Sequence, residues 1–460
     1  MVEGRTHRPV IQPEQCHSCS VCIRGCPAEL IPEYRQEEES LRGTLYSGKV
    51  LTASSRAKVP LPPCQEACPI HQDTKGYVTL VARGKFKEAL EVIREVNPLP
   101  AVCGFICHHL CEEACLRGGV DQPVPMRLLK RFVAEYERKN IRPTRRPKKK
   151  RNDRVLVVGS GPAGLAAAND LRLLGYEVTL FEALPVLGGM LAVGIPEFRL
   201  PRDILQMEID GIRELGVEMK SNHRFHVEGN GKSFRKLGFQ AAFLSIGAHQ
   251  SSKLNIPGEK LDRVLSGVEF LREINLGRAV KIGRRVAVIG GGNVALDVAR
   301  SATRLGAEAV EVYYRRTQDE MPAIPEEIKE TLREGIKIHF LASPIQFIGR
   351  GGRATGIEFV RMRLAEPDGT GRPKPVTIEG SEFRVKADTI ISSVGQKVDR
   401  RGVKGFATNK DGTIRVDPKT GATSVKGVFA GGDMVTGPGW AIDAIAAGKK
   451  AAESIHRYLS

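Results

Sequence analysis

Four cysteines near the N-terminus, Cys16, Cys19, Cys22 and Cys26, with Pro27 directly behind them, make the spacing C-x2-C-x2-C-x3-C-P. This is the bacterial ferredoxin run, in which three thiolates hold one cubane and the fourth serves that cluster or a second one. Zinc knots more often show two separated C-x2-C pairs, so iron–sulfur is the favoured reading. A second set follows: Cys64 and Cys68, then Cys103, Cys107, Cys111 and Cys115, the last four repeating every four residues. On one continuous helix those four would share a face, whereas cluster ligation is more often built on irregular turns. His108 and His109 lie inside that run, where packing or hydrogen bonding is favoured over ligation. With four thiolates per cluster, two clusters use eight of the ten cysteines, and three would need two ligands of another kind.

Two stretches carry a different chemistry. Residues 154–182 read RVLVVGSGPAGLAAANDLRLLGYEVTLFE, a buried strand followed by Gly159, Ser160, Gly161, Pro162, Ala163 and Gly164 at the opening of a helix. In such a G-x-G-x-x-G loop the glycines allow a tight turn, close approach of backbone to pyrophosphate and helix–strand packing, while the helix N-terminus attracts the anion. Glu182, ending the next strand, is placed to accept hydrogen bonds from ribose hydroxyls. Residues 285–316 repeat the pattern with Gly290, Gly292 and Ala295, but Arg315 and Arg316 stand where the acid would be. Guanidinium groups grip a 2′-phosphate, so NADP(H) is expected here, with NAD(H) as the alternative. A third glycine cluster, Gly431-Gly432-Asp433, separates an apolar strand from an alanine-rich helix starting at about Trp440.

These residues need particular elements to hold them. Beyond Arg154 the sequence alternates apolar strands, glycine turns and helices, the order of α/β proteins, and the two similar glycine units imply two dinucleotide-binding domains. Before it the patterning is helical: Phe86, Ala89, Leu90 and Ile93 mark an amphipathic helix stopped by Asn97-Pro98. Between the two lies a basic run, Arg138 to Arg154, read as a solvated linker, with docking of an acidic electron-transfer protein as the sharper reading. The whole chain has 460 residues, 70 Lys+Arg against 53 Asp+Glu and a net charge of +17. Aromatic residues make up only 5%, which argues against a stacking platform for nucleic acid. No apolar stretch approaches a membrane span, and the charged N-terminus does not read as a signal peptide. The expected compartment is the cytoplasm, where thiolates stay reduced. No Ser/His/Asp set or paired carboxylates present themselves as catalytic groups, which fits hydride transfer between cofactors.

The ordered glycine motifs, together with LSIGA at 244–248 and ISSVGQ at 391–396, resemble two-dinucleotide-domain flavoproteins. PPCQEACPI, VCGFICHHLCEEAC, GGMLAVGIPEFRLP (188–201) and YRRTQDEMPAIPEE (314–327) narrow the resemblance. They are similar to the glutamate synthase small (beta) subunit family, which includes the N-terminal part of dihydropyrimidine dehydrogenase and the large subunit of NADH-dependent ferredoxin:NADP oxidoreductase. That resemblance implies an N-terminal, mostly α iron–sulfur domain beside a Rossmann-like FAD domain with an inserted NAD(P) domain. The implied boundaries are a ferredoxin-like segment at 1–40, a helical iron–sulfur domain at 60–137, a linker at 138–152, an FAD domain at 153–279 and 391–460, and an NAD(P) domain at 280–390.

The same resemblance puts FAD on Gly159–Gly164 and Glu182, with Gly189, Arg199, Gly247, Gly432, Asp433, Trp440 and Ala441 beside it. NADP(H) falls to Gly290, Gly292, Asn293, Val294, Ala295, Asp297, Arg315, Arg316 and Gly395, and all ten cysteines are candidate ligands of two or three 4Fe–4S clusters. Family members usually carry a further cysteine pair where this chain has Arg56 and Val59. The implied activity is electron transfer between NAD(P)H, FAD, the clusters and a partner redox subunit or ferredoxin-like protein within a hetero-oligomeric complex. An NADPH-dependent glutamate synthase small subunit is the alternative, and a non-catalytic redox-sensing or assembly protein the alternative of another class.

Overall fold

The structure is a computed structural model that describes residues 61–140, 147, 149–229, 231–367, 371–399 and 403–460. The ferredoxin-like run at Cys16–Cys26, Arg56, Val59 and much of the basic run lie outside the described residues. Of that run, Lys150 and Arg154 are both engaged with Glu177, at 2.7 and 3.8 Å. The chain divides into two compact units, one comprising Met1–Val96 and His109–Ile141, the other Asn97–His108 and Arg142–Ser460.

The first unit is helical, with helices at Pro63–Glu66, Thr74–Ala82, Phe86–Val96, Leu110–Glu113 and Met126–Asn140. Asp73 caps the second by accepting from Gly76 N at 2.8 Å. The periodicity read from the sequence puts Ala89, Leu90 and Ile93 inward, where they pack with Tyr77, Met126 and Val133. The Tyr77 hydroxyl, at the centre of this core, donates to Met126 O at 3.0 Å.

In the second unit, apolar strands stack into two parallel five-stranded sheets. The first has the order Val428–Ala430, Ala241–Leu244, Arg154–Val158, Glu177–Phe181, Glu218–Lys220. The second has the order Lys337–His339, Ala309–Tyr313, Arg285–Ile289, Thr389–Ser392, Val264–Ser266. An antiparallel sheet at Ala342–Lys386 packs on the second sheet through Phe347, Ile357 and Phe359. Alternation of strand and helix in the sequence did not single out this insertion.

The second sheet takes in Val264–Ser266, its following helix Gly267–Asn275, and the whole of Thr389–Ser392. The change from one sheet to the other therefore lies earlier than the expected 279/280 boundary and later than 390/391. Val264 and Leu265 pair in parallel with Ile390 and Ile391, and this pairing outweighs the motif-based division. The two crossovers touch: Gln250–Ser251 pairs antiparallel with Gln396–Lys397, just beyond Gly247 and Gly395, both at positive φ.

Candidate functional site

One cleft of about 1780 Å³ runs along the carboxyl ends of both parallel sheets, the place where open α/β sheets bind ligands. Three helices begin at its wall, Pro162–Leu173 behind Gly161, Asn293–Arg304 behind Gly292 and Ala441–Leu459 behind Trp440, and none has a side-chain N-cap. Their first N–H groups are thus left to an anion or polar ligand.

The first glycine loop shows why each position is glycine. Gly159 has φ +101°, and a Cβ there would meet Ser245 O at 2.4 Å. A Cβ on Gly164 would collide with Gly159 O at 1.8 Å, whereas one on Gly161 would meet only open space. The middle glycine is therefore not demanded by the protein's own packing, as expected where a pyrophosphate approaches the backbone. Gly189 closes over this loop, its would-be Cβ 2.8 Å from Gly161 Cα. Glu182 is buried, accepts from Ser160 N at 2.9 Å and Ser160 Oγ at 2.6 Å through Oε2, and accepts from Leu184 N at 2.8 Å through Oε1. It tethers the loop and still lines the cleft. Asp433 faces the cleft too; burial pushes its carboxyl up to about 6, against the pull of the Gly439 N–H.

The second loop repeats the geometry. Gly290 sits at φ +145° with Ser393 O 2.5 Å from a would-be Cβ, while the space at Gly292 is open but for Pro322. Ala295 fills the third glycine's place, fully buried, and Val294 lines the cleft. Asn293 Oδ1 accepts from Ile324 N at 3.0 Å. The two arginines expected to act together separate. Both line the cleft, but Arg315 is exposed there, whereas Arg316 is buried and donates from Nε to Pro373 O at 2.8 Å.

Arg199 and Asp297, expected on different cofactors, are paired with each other at 2.8 Å, and Arg199 also reaches Glu327 at 2.9 Å. Both line the cleft, but the guanidinium is directed at carboxylates. Trp440 stacks on His108, ring centroids 4.3 Å apart and planes 16° from parallel.

The cysteine-rich stretch is not one helix. Pro100–Ile106 ends at Cys107, whose ψ of 138° is extended, and His109 is left-handed at φ 45° before Leu110–Glu113 begins. Cys103 and Cys107 belong to the second unit, and the described Cys64, Cys68, Cys111 and Cys115 to the first. In the first unit Cys64, Cys111 and Cys115 pack against the Tyr77 core. Burial, then the charges of Cys111, Glu112, Cys68 and Cys64, push the Tyr77 hydroxyl well above its ordinary range. Among the described residues no three His, Cys, Asp or Glu side chains converge on one point as ligands of a single metal ion would. A cubane spreads four thiolates over four irons, so an irregular, half-buried set of sulfurs around a hydrophobic core fits that group.

Compared with known proteins, residues 153–448 match the pyridine nucleotide-disulphide oxidoreductases, and residues 35–141 match the 4Fe–4S domain II of dihydropyrimidine dehydrogenase. The chain belongs to the pyridine nucleotide-disulphide oxidoreductase family. It is 32% identical to the glutamate synthase [NADPH] small chain of Azospirillum brasilense over 86% of each chain. It is 42% identical to the NADP(+)-dependent formate dehydrogenase subunit beta of Moorella thermoacetica over 90% of this chain, and spans 64% of that relative's length. FprA from Mycobacterium tuberculosis shares the fold, with a TM-score of 0.58 and 21% identity over 67% of this chain and 85% of FprA.

This oxidoreductase thus carries the FAD and NAD(P) fold expected from its glycine loops, joined to a 4Fe–4S segment. Among the described residues no helix is long and apolar enough to cross a membrane. Three features of the second unit had no sequence signature. Glu208, on the helix Arg202–Glu214, accepts from Ala101 N at 2.7 Å and Val102 N at 2.9 Å, holding the first turn of the Cys103 helix. His249 is lowered from its ordinary range, first by burial and then by Arg272. Arg372 donates to the Tyr314 hydroxyl at 2.9 Å in the cleft wall. Each depends on a partner far away in sequence.

Proposed function

We propose that this chain is the electron-transfer subunit of a cytoplasmic hetero-oligomeric complex, linking NADPH to a partner redox subunit or ferredoxin-like protein. The observation that carries this reading is one cleft with two open dinucleotide loops, in the same compact unit as Cys103 and Cys107. When bound, FAD supplies the exchange between a two-electron hydride and the single electrons that 4Fe–4S clusters carry.

The chain's own residues do the rest. Gly159–Gly164 and the helix behind them receive the FAD pyrophosphate, with Glu182 holding the loop and offering its remaining lone pair to the ribose. Gly189, Gly247, Gly432, Asp433, Trp440 and Ala441 form the rest of that side. Gly290, Gly292, Asn293, Val294 and Ala295 receive the nicotinamide nucleotide, Gly395 faces it, and Arg315 offers its exposed guanidinium to the 2′-phosphate. The six described cysteines, with Cys16, Cys19, Cys22 and Cys26, supply thiolates for two or three clusters. The functional division follows the sheets, with a flavin-binding part, an inserted nucleotide-binding part and the cysteine-rich N-terminal part.

Anaerobic purification followed by flavin, iron and sulfide analysis tests this reading, with FAD, iron and sulfide all expected. Flavin bleaching by NADPH should survive deletion of residues 1–40 while iron falls. A loss of about four irons marks a separate N-terminal cluster, and of about eight a shared one. Zinc in place of iron, or no flavin, refutes the reading. The similarity to a glutamate synthase small chain over 86% of both proteins supports a second reading, as that enzyme's small subunit. Co-purification with a large synthase subunit would favour it.

A further inference from the structure

The segment Ile195–Arg199 leaves the flavin-binding side of the second unit and ends among helices of the other side. Arg199, with a side chain 8% exposed, donates from Nη1 to Asp297 Oδ2 at 2.8 Å and from Nε to Glu327 Oε1 at 2.9 Å. Asp297 lies on the helix that opens at the second glycine loop, Glu327 on the helix Pro325–Arg333. The other oxygen of Glu327 accepts from Arg300 at 2.6 Å, and Arg300 continues to Glu334 at 2.9 Å. Phe198 goes with its neighbour: its ring lies 4.7 Å from the Arg300 guanidinium carbon and 4.0 Å from that of Arg304. Behind this contact Asn275 Nδ2 donates to Val193 O at 3.0 Å.

Such a placement is costly to leave half-made. A guanidinium and two carboxylates withdrawn from water are tolerable only while paired, and removing Arg199 takes away the ion pair of Asp297 and leaves Glu327 to Arg300 alone. Without Arg199, Asp297 and Glu327 would face each other as like charges, the direction in which Glu327 already acts on Asp297. The covalent connections between the two parallel sheets are two crossovers, paired with each other among the described residues by a two-residue ladder. Two rigid sheets on such a joint can turn as a hinge, and few-residue connections of this kind absorb most of a domain rotation.

We propose that Phe198 and Arg199 are positioning residues that latch the nucleotide-binding sheet to the flavin-binding sheet, setting how the nicotinamide meets the flavin. The second half of this statement rests on the cofactor reading above; the latch itself does not. Arg199 is then spent on domain geometry and not on gripping FAD.

The test uses the full-length, flavin-loaded protein and three measurements: amide hydrogen exchange in the crossovers at 245–263 and 393–399, the limiting rate of flavin bleaching by NADPH, and NADP+ affinity. Arg199→Met should speed exchange in both crossovers and slow bleaching by roughly tenfold to a hundredfold, since small misplacements of reacting groups are that expensive. NADP+ affinity should hold. Arg199→Lys, which can satisfy one carboxylate at a time, should recover part of both losses. If Arg199→Met does not fold, Glu327→Gln weakens the same guanidinium from its other side and should speed exchange at the same crossovers. Unchanged crossover exchange overturns the latch, as does loss of FAD with normal exchange, which would make Arg199 a flavin contact. Faster exchange with an unchanged bleaching rate overturns the positioning role. Should NADPH fail to bleach the wild type, the cofactor reading falls while the exchange arm still decides the latch.

Discussion

Replacing Glu208 with alanine should release the segment that carries Cys103 and Cys107 while leaving both sheets folded. Glu208 is 3% exposed, and its two carboxylate oxygens accept from the amides of Ala101 and Val102, both fully buried. These amides belong to the first turn of Pro100–Ile106, where unsatisfied N–H groups and the positive helix end both favour a carboxylate. A hydrogen bond to a charged acceptor is worth about 1.5–3 kcal/mol, and a buried amide left without a partner costs about 1–3 kcal/mol, so local opening should become easier by about 3–5 kcal/mol. Each 1.4 kcal/mol is a factor of ten, which translates into roughly a hundredfold to several-thousandfold faster exchange of the amides in this segment. Mass-spectrometric hydrogen exchange on the flavin-loaded protein reads this directly. Glu208→Gln, keeping one oxygen but no charge, should fall between. Trp440 is the chain's single tryptophan, and the ring of His108 rests on it, so its fluorescence should change with the same variants. Unaltered exchange over residues 100–106 in Glu208→Ala would refute the clamp. Accelerated exchange spread equally through the strands of the first sheet would show that Glu208 supports the whole fold instead.

Three further outcomes follow from the cleft. Glu182→Leu removes the acceptor of Ser160 N, Ser160 Oγ and Leu184 N and should weaken FAD binding by about 1.5–3 kcal/mol, measured by flavin retention on dilution; unchanged retention would refute it. Arg315→Ala should raise the Michaelis constant for NADPH far more than that for NADH, whereas Arg316→Ala should lower thermal stability, its guanidinium being buried against Pro373 O. Equal losses with both nucleotides in Arg315→Ala would count against a 2′-phosphate contact. Asp433 holds its proton more tightly folded, at about 6, than unfolded, so the flavin-free protein should lose stability as pH rises from about 4 to 6. Asp433→Asn should remove this carboxyl's share of that slope, leaving the share of Asp297, which burial likewise pushes up to about 6, and gain up to about 3 kcal/mol at pH 7, checked by urea unfolding across the pH range.

Local grammar made much of this protein legible in its sequence. The helix at Phe86–Val96, the two strand–loop–helix units and the long helix after Trp440 each follow from periodicity and glycine placement within a few tens of residues. The spacing of Gly159, Gly161 and Gly164 even carried their separate duties, because those duties are set by backbone sterics in one turn. The arginine pair was half legible. Both arginines lie in the bend that follows the strand Ala309–Tyr313 and both line the cleft, but only Arg315 is exposed, while Arg316 is buried and tied to Pro373 O, a partner fifty-seven residues on.

Partners distant in the chain decided the rest. Arg199 stood in a motif shared with flavoproteins and invited a flavin role, yet what it touches is set by Asp297 and Glu327, about a hundred residues on, brought to it only when the second sheet forms. Glu208 and the Cys103 helix are likewise about a hundred residues apart, joined by a backbone contact to which no side-chain pattern points. Strand pairing moved the division between the sheets for the same reason: Val264–Ser266 is an unremarkable short apolar run until Thr389–Ser392 comes alongside it. The residues hardest to read from sequence are thus those joining elements far apart in the chain. Arg199 and Glu208 are both buried charges spent at such joints, one between the two sheets and one on the segment bearing Cys103. Hydride transfer and electron exit both need parts held in register, and a buried charge that is costly unless satisfied is suited to enforce it.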